Sequence, residues 1–293
     1  MAHQLLGKPV AQTMKAHIHE TVSAYQRLGV TIKLVAALVE GDAASLCYAK
    51  SKARLAKQLG IEYELHTFPV RVTEQQVLST IHHWNEDSHV HGIMLELPLP
   101  HHLDTHRILA AIRPEKDIDG LTAGNQLANM VGDPGLRPAT PLACLRLLEF
   151  YGIPLRGRDV ALVGCGKTVG MPLLHLLLRK GATVTVCHAS TRDIGKHLQQ
   201  AEIAFVAVGK PALIQPEMCH SNLTLIDAGI NETPQGDIVG DAHPDVANVV
   251  KAMTPTPGGV GVVTTMQLFS NLLEAAEIQL PQLRVPYRGT NNT

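Results

Sequence analysis

Apolar runs of strand length recur along this chain, each followed by a stretch of helical composition or by a turn. Val30 to Glu40 (VTIKLVAALVE) leads into Asp42 to Gly60, rich in Ala, Leu and Lys. Tyr63 to Phe68 precedes Thr73-Glu74-Gln75-Gln76, a capping box that should open a helix through Trp84. Val90 to Leu97 is a third strand, ended by Pro98-Leu99-Pro100. Before them, Val10, Met14, Ile18, Val22 and Tyr25 fall at helical steps, so Pro9 to Leu28 reads as an amphipathic helix. After them, Asp104 can cap a short helix to Ile112. Such alternation implies a parallel sheet covered by helices.

A second series follows. Thr140-Pro141 pairs an N-cap with a proline at the first helical position, predicting a helix to about Tyr151 and placing the domain crossing there. Strands are expected at Arg158 to Gly164, Thr183 to Cys187, Ile203 to Val208 and Leu223 to Asp227, with a helix from Lys167 to Lys180. This is a Rossmann-like half. The loop Thr254 to Gly261 cannot be helix or central strand, a helix from about Thr264 to Ile278 closes the fold, and the tail from Pro281 to Thr293 should be loose. The expectation is an α/β protein of two α/β domains, the second Rossmann-like, with a cleft between them. The first would be residues 1–139 plus 265–293 and the second 140–264, which suits a length of 293.

Composition removes several classes of function. Lys plus Arg total 25 against 26 Asp plus Glu, which gives no electrostatic footprint for nucleic acid or an anionic membrane. Aromatics at 3% offer no stacking platform for bases, and no segment has the length of a membrane span. A cytoplasmic location is expected. The five cysteines are scattered and lack a Cys-x-x-Cys pair, which suits reduced thiols. The 16 histidines show no ligand spacing such as His-Glu-x-x-His, so no metal is expected.

Two stretches carry candidate chemistry. Tyr48 and Lys52 lie one turn apart on a helix that opens at the carboxyl end of a strand, where open α/β sheets place ligands. Taken alone, such a pair reads rather as a core tyrosine beside a solvated lysine. Gly164-Cys165-Gly166-Lys167-Thr168-Val169-Gly170 follows a strand and opens a helix, so its amides can hold a phosphate. It departs from the dinucleotide fingerprint, because Val169 stands where the third glycine belongs, and from the P-loop, because Ala161 stands where that motif has glycine. No acidic residue ends the next strand, which leans toward a ribose 2′-phosphate near Arg192 or His188, although Arg192 reads equally as a surface charge.

Four segments together resemble the FolD family of bifunctional methylenetetrahydrofolate dehydrogenases/methenyltetrahydrofolate cyclohydrolases. They are Tyr48-x-x-x-Lys52, Gly92 to Pro100 (GIMLELPLP), Pro114 to Gly120 (PEKDIDG) and Thr254 to Gly261 (TPTPGGVG), in matching order and spacing over nearly the whole chain. The resemblance implies oxidation of 5,10-methylenetetrahydrofolate with a nicotinamide cofactor, NADP on the family's pattern with NAD as the alternative, and hydrolysis to the 10-formyl product. It also implies a homodimer. Carried over by residue, Lys52 would be the catalytic lysine, Tyr48 would stack on the aminobenzoyl part of the folate and Asp119 would hold the pterin. Leu97, Pro98, Pro257, Gly258 and Gly259 would line the substrate. Thr140, Gly164, Cys165, Gly166, Thr168, Ala189, Ile230 and Thr264 match cofactor-contact positions.

The chain also departs from the family. Glu96 stands where the family usually has glutamine, and a carboxylate near Lys52 favours the ammonium form over the free amine that proton relay needs. Reduced cyclohydrolase relative to dehydrogenase activity is therefore expected. The family's usual 2′-phosphate partners are replaced by Cys165-Gly166 and Ala189-Ser190, its Pro-Met after Gly-Gly-Val-Gly by Val262-Val263, and its Pro-Cys-Thr-Pro by Pro138-Ala139-Thr140-Pro141.

Overall fold

The computed structural model describes residues 2–41, 43–233, 235–283 and 285. Asp42, expected to begin the second helix, and the tail at 284 and 286–293 lie outside the described residues. In chain order the elements are β1 (His3–Gln4), α1 (Gly7–Arg27), β2 (Lys33–Val39), α2 (Ala43–Leu59), β3 (Glu62–Phe68), α3 (Glu74–Glu86), β4 (Gly92–Leu95), α4 (Thr105–Ala110), α5 (Ala123–Val131) and α6 (Ala139–Phe150). There follow β5 (Asp159–Val163), α7 (Gly170–Arg179), β6 (Thr183–Cys187), α8 (Ile194–Leu198), β7 (Ile203–Val206), β8 (Thr224–Asp227), β9 (Asn231–Glu232), β10 (Ile238–Val239), β11 (Ala252–Met253) and α9 (Val260–Gln279).

The chain forms two compact units. One comprises Met14–Arg137 with Leu268–Thr293 and holds a three-stranded parallel sheet in the order β3-β2-β4. Strand alternation puts Val35, Ala37, Val39, Ile93 and Leu95 on one face, where they pack with Val77, Ile81 and Trp84 of α3. The capping box at Thr73 forms as the spacing requires, with Thr73 and Gln76 bonded reciprocally. Asp104 caps α4 by accepting from the Arg107 amide.

The other unit comprises Met1–Thr13 and Pro138–Gln267, with a six-stranded sheet in the order β1-β11-β8-β7-β5-β6. All its pairings are parallel. The N-terminal residues, expected with the first domain, cluster here because His3 and Gln4 pair with Ala252 and Met253. Among the described residues no helix is long and apolar enough to cross a membrane.

Several predicted helix starts differ from the structure: α1 begins at Gly7 rather than Pro9, and α9 at Val260 rather than about Thr264, so the end of the Thr254 to Gly261 loop is helical. Thr140 is not an N-cap: α6 begins at Ala139, behind Pro138, which makes no side-chain cap. Pro141 is tolerated in that first turn because the N–H it lacks would have no intrahelical partner there. The helix after the glycine turn starts at Gly170 rather than Lys167. Residues 167–169 form a turn in which Val169 has non-helical φ −127° and ψ −63°, and Gly170 then sits close to the turn, a Cβ on it lying 2.0 Å from the Gly164 carbonyl oxygen.

Candidate functional site

Within the three-stranded unit, Glu96 extends the β4 ladder by donating its N–H to the Ala37 carbonyl at 2.9 Å. Met94 and Glu96 therefore share a face, opposite to the one that packs on α3. The Lys52 Nζ, reaching from α2, lies 2.8 Å from both carboxylate oxygens of Glu96 and 3.6 Å from the Met94 Sδ. Glu96 is only 6% exposed and the Lys52 side chain 17%. A carboxylate so buried requires a countercharge, and Lys52 supplies it in bidentate geometry. The Ser45 hydroxyl donates to the Leu97 carbonyl at 3.3 Å, tying α2 to the exposed Leu97-Pro98 segment, whose peptide bond is cis. Tyr48 is half-exposed one turn before Lys52 on the same side of the helix.

Asp119 stands on a loop fastened from several sides. Buried Lys116 donates to the carbonyls of Trp84, Asn85 and Asp87 at 2.9, 2.9 and 2.7 Å, so it caps the carboxyl end of α3. Asp117 accepts from the Thr122 amide at 2.7 Å and from Asn125 Nδ2 at 3.0 Å. From α9, Asn271 donates to the Ile118 carbonyl at 2.7 Å and Gln279 to the Glu115 carbonyl at 3.1 Å. Gly92 lets this loop sit close to β4, since a Cβ there would meet Ile118 at 2.6 Å. Asp119 keeps part of its surface open, yet the dense protein around it pushes its pKa up to about 7, opposed by Lys52 and assisted by Asp117 and Glu96. The hydroxyl of Tyr63 is buried and has no hydrogen-bond partner among the described residues. Burial first, then the charges of Glu96 and Asp119, raise its pKa.

In the six-stranded unit the glycine turn lies at the carboxyl end of β5, before α7. Gly164 has φ +100°, and a Cβ on it would lie 2.2 Å from the Ala207 carbonyl oxygen. Gly166 is exposed, with open space where its Cβ would be, and Thr168 is exposed beside it. Gly170 takes the close-packing role of the dinucleotide fingerprint's third glycine one residue late, which is why a search for that spacing finds Val169 instead. A turn that brings backbone to an open face at a helix amino end fits a dinucleotide phosphate. Cys165 places its Sγ 3.0 Å from the Met171 Sδ. At the end of β6, Ala189 lies in an exposed turn where the His188 amide donates to the Thr191 hydroxyl at 2.9 Å.

The remaining expected residues are also in this unit. Ile230 is 59% exposed, Thr140 is partly buried, and the Thr264 hydroxyl donates to the Val260 carbonyl at 3.1 Å. Pro257 follows a cis peptide bond, Gly258 has φ +106° and accepts from the Gly7 amide at 2.8 Å, and Gly259 lacks room for a side chain beside the Pro255 carbonyl. The structure thus brings Tyr48, Lys52, Glu96 and Leu97 together in one unit, couples Asp119 to them electrostatically, and gathers the glycine turn and its neighbours in the other. Lys116 and Asp117, which organise the first site, lie in the Pro114 to Gly120 segment but had no role read for them there, and Asp241 carries no sequence pattern that singles it out.

The geometry defines a class first: an α/β enzyme with a lysine–carboxylate centre on one parallel sheet and a nucleotide-binding turn on another. Residues 5–119 match the catalytic domain of tetrahydrofolate dehydrogenase/cyclohydrolase, and residues 138–280 its NAD(P)-binding domain. The bifunctional protein FolD of Heliobacterium modesticaldum is 44% identical over 95% of this chain and 97% of its own. The crystal structure of the Campylobacter jejuni bifunctional enzyme superposes with a TM-score of 0.92 at 34% identity, covering 96% of this chain and all (100%) of that one. The Trypanosoma brucei enzyme, described as complexed with NADP cofactor and inhibitor, gives 0.90 at 30% identity over 97% and 99%. The chain belongs to the FolD family of methylenetetrahydrofolate dehydrogenase/cyclohydrolases. It therefore oxidises 5,10-methylenetetrahydrofolate and hydrolyses the methenyl product in one-carbon metabolism, with an NAD(P)-binding domain for the first step.

Proposed function

We propose that Lys52, Glu96 and Asp119 carry the folate chemistry, with Tyr48, Leu97 and Pro98 contacting the substrate, and that the oxidant is NADP. The carrying observation is the bidentate Lys52–Glu96 pair in the unit that also holds Asp119. When bound, the nicotinamide supplies the hydride acceptor. The methenyl product is a cation, which an isolated Lys52 ammonium would repel. Glu96 cancels that repulsion, so the pair favours the charge that develops during oxidation.

Hydrolysis makes the opposite demand. Water must lose protons as it adds to the amidinium carbon, and a lysine can relay them only when its amine is free. Glu96 engages the Lys52 nitrogen at 2.8 Å through both carboxylate oxygens and so competes with water for it, which favours dehydrogenase over cyclohydrolase turnover in this chain. Asp119, once ionised, accepts from the donors on the pterin ring.

NADP is supported by the absence of an acid after β6, where Ser190 and Arg192 are exposed in place of a ribose-binding carboxylate. Pro257, Gly258 and Gly259 complete the proposed substrate contacts. Thr140, Gly164, Cys165, Gly166, Thr168, Ala189, Ile230 and Thr264 make up the proposed cofactor contacts. A homodimer acting in the cytoplasm follows the family's pattern. The test is to follow reduction of NADP and of NAD with methylenetetrahydrofolate, and separately hydrolysis of methenyltetrahydrofolate. Faster turnover with NADP and a cyclohydrolase step slower than the dehydrogenase step are expected; preference for NAD, or faster hydrolysis, overturns the corresponding part.

A further inference from the structure

Asp241 is fully buried, and its carboxylate accepts four hydrogen bonds. One oxygen takes the amides of Val208 and Gly209 at 2.6 and 3.0 Å, and the other takes the Lys210 amide at 2.8 Å and Asn231 Nδ2 at 2.9 Å. Three successive backbone donors on one carboxylate fix the path of a loop in a way the isosteric amide of asparagine could not, because an amide offers only one accepting atom. That loop begins at the carboxyl end of β7, and the fourth tethered residue, Asn231, follows the carboxyl end of β8. These are the strand ends at which a sheet of this kind receives its nucleotide.

The contacts continue from both loops to the cofactor side. The first backs the glycine turn, since a Cβ on Gly164 would lie 2.2 Å from the Ala207 carbonyl oxygen and 3.1 Å from Val208 Cγ2. The second carries exposed Ile230, next to Asn231. Gly229 leaves room for the carboxylate, because a Cβ there would fall 2.3 Å from its Cγ. Asp241 is itself placed by Asp227, whose carboxylate accepts from the amides of Gly229, Asp241 and Ala242 at 2.8, 3.2 and 2.9 Å.

We infer that Asp241 is a positioning residue for the nicotinamide site, one buried anion setting the distance between the loop behind Gly164 and the loop that carries Ile230. The inference rests on the proposed cofactor contacts. It assigns Asp241 to one of the two reactions only, since Lys52, Glu96 and Asp119 belong to the other unit. Hydrolysis of methenyltetrahydrofolate needs no nicotinamide, so the enzyme contains its own control.

The experiment measures both activities in Asp241→Asn, with hydrolysis assayed in the absence of any nicotinamide. A shift of the loops by a fraction of an ångström should raise the cofactor KM about tenfold or more while hydrolysis stays within about twofold of wild type. Should that variant not fold, Asn231→Ala decides the matter. It removes one of the four donors, and a cofactor KM rise of about threefold with hydrolysis intact is expected. Parallel loss of both activities, or no change in cofactor KM in the variant that folds, overturns the inference. A wild type that reduces neither NADP nor NAD overturns instead the function on which it rests.

Discussion

The Lys52 ammonium nitrogen lies 2.8 Å from each carboxylate oxygen of Glu96, and of the two side chains the carboxylate is the more deeply buried, at 6% against 17% exposed. Removing its charge while keeping its shape should free Lys52 from its ion pair. Glu96→Gln is expected to raise cyclohydrolase activity about tenfold relative to dehydrogenase activity. Both steps are assayed on one preparation, and an unchanged ratio would sink the idea. Lys52→Met should abolish hydrolysis and also lower the melting temperature, because it strands a buried carboxylate.

Asp119 gives a pH signature. Its carboxyl is raised from 3.8 to about 7 by burial, so the folded chain binds its proton more tightly than the unfolded chain does. The stability from this group is fully present below pH 3.8 and is lost as pH rises through about 7. Substrate binding runs the other way, because the ionised form accepts from the pterin. The folate KM should therefore rise as pH falls below about 7. In Asp119→Asn that dependence should vanish while thermal stability at pH 8 increases, which calorimetry and initial rates across pH would check.

Lys116→Met removes a cation that satisfies three carbonyls at the end of α3. With those acceptors left in a dry environment, a loss of roughly 3 kcal/mol in unfolding free energy is expected. Urea denaturation reads it, and a change under about 1 kcal/mol would mean the carbonyls find water instead.

The glycine turn offers a contrast between neighbours. A methyl on Gly170 would lie 2.0 Å from the Gly164 oxygen, whereas a methyl on Gly166 meets nothing within 4 Å. Gly170→Ala should destabilise the unit and abolish reduction of the nicotinamide cofactor. Gly166→Ala should fold normally and weaken only the cofactor, seen as a KM effect without a change in melting temperature.

Much of this was legible in the sequence because the physics was local. The three-stranded sheet, the capping boxes and caps at Thr73 and Asp104, and the pairing of Lys52 with Glu96 follow from strand-length runs, short-range hydrogen bonding and sheet-face alternation. What escaped depends on contacts distant along the chain. The two-residue strand His3–Gln4 has no pattern of its own and exists because Ala252 and Met253 offer an edge. α5, capped by Thr122, was hidden within a polar stretch whose Gly124 and Asn125 suggest a turn. Asp241 is an ordinary aspartate in sequence, and its role emerges only when four donors from elsewhere converge on it.

In the heptapeptide from Pro114 to Gly120, Lys116 and Asp117 bond to protein groups, whereas Asp119 keeps a partly open face and feels the charge of Lys52. Replacing any of the three would silence the enzyme in a simple turnover screen, yet for different causes. Heat would tell them apart: the first two variants melt early and regain activity on cooling or with osmolytes, while the third does not melt early and keeps its raised folate KM. Mutational surveys of this segment therefore need a thermometer as well as a spectrophotometer.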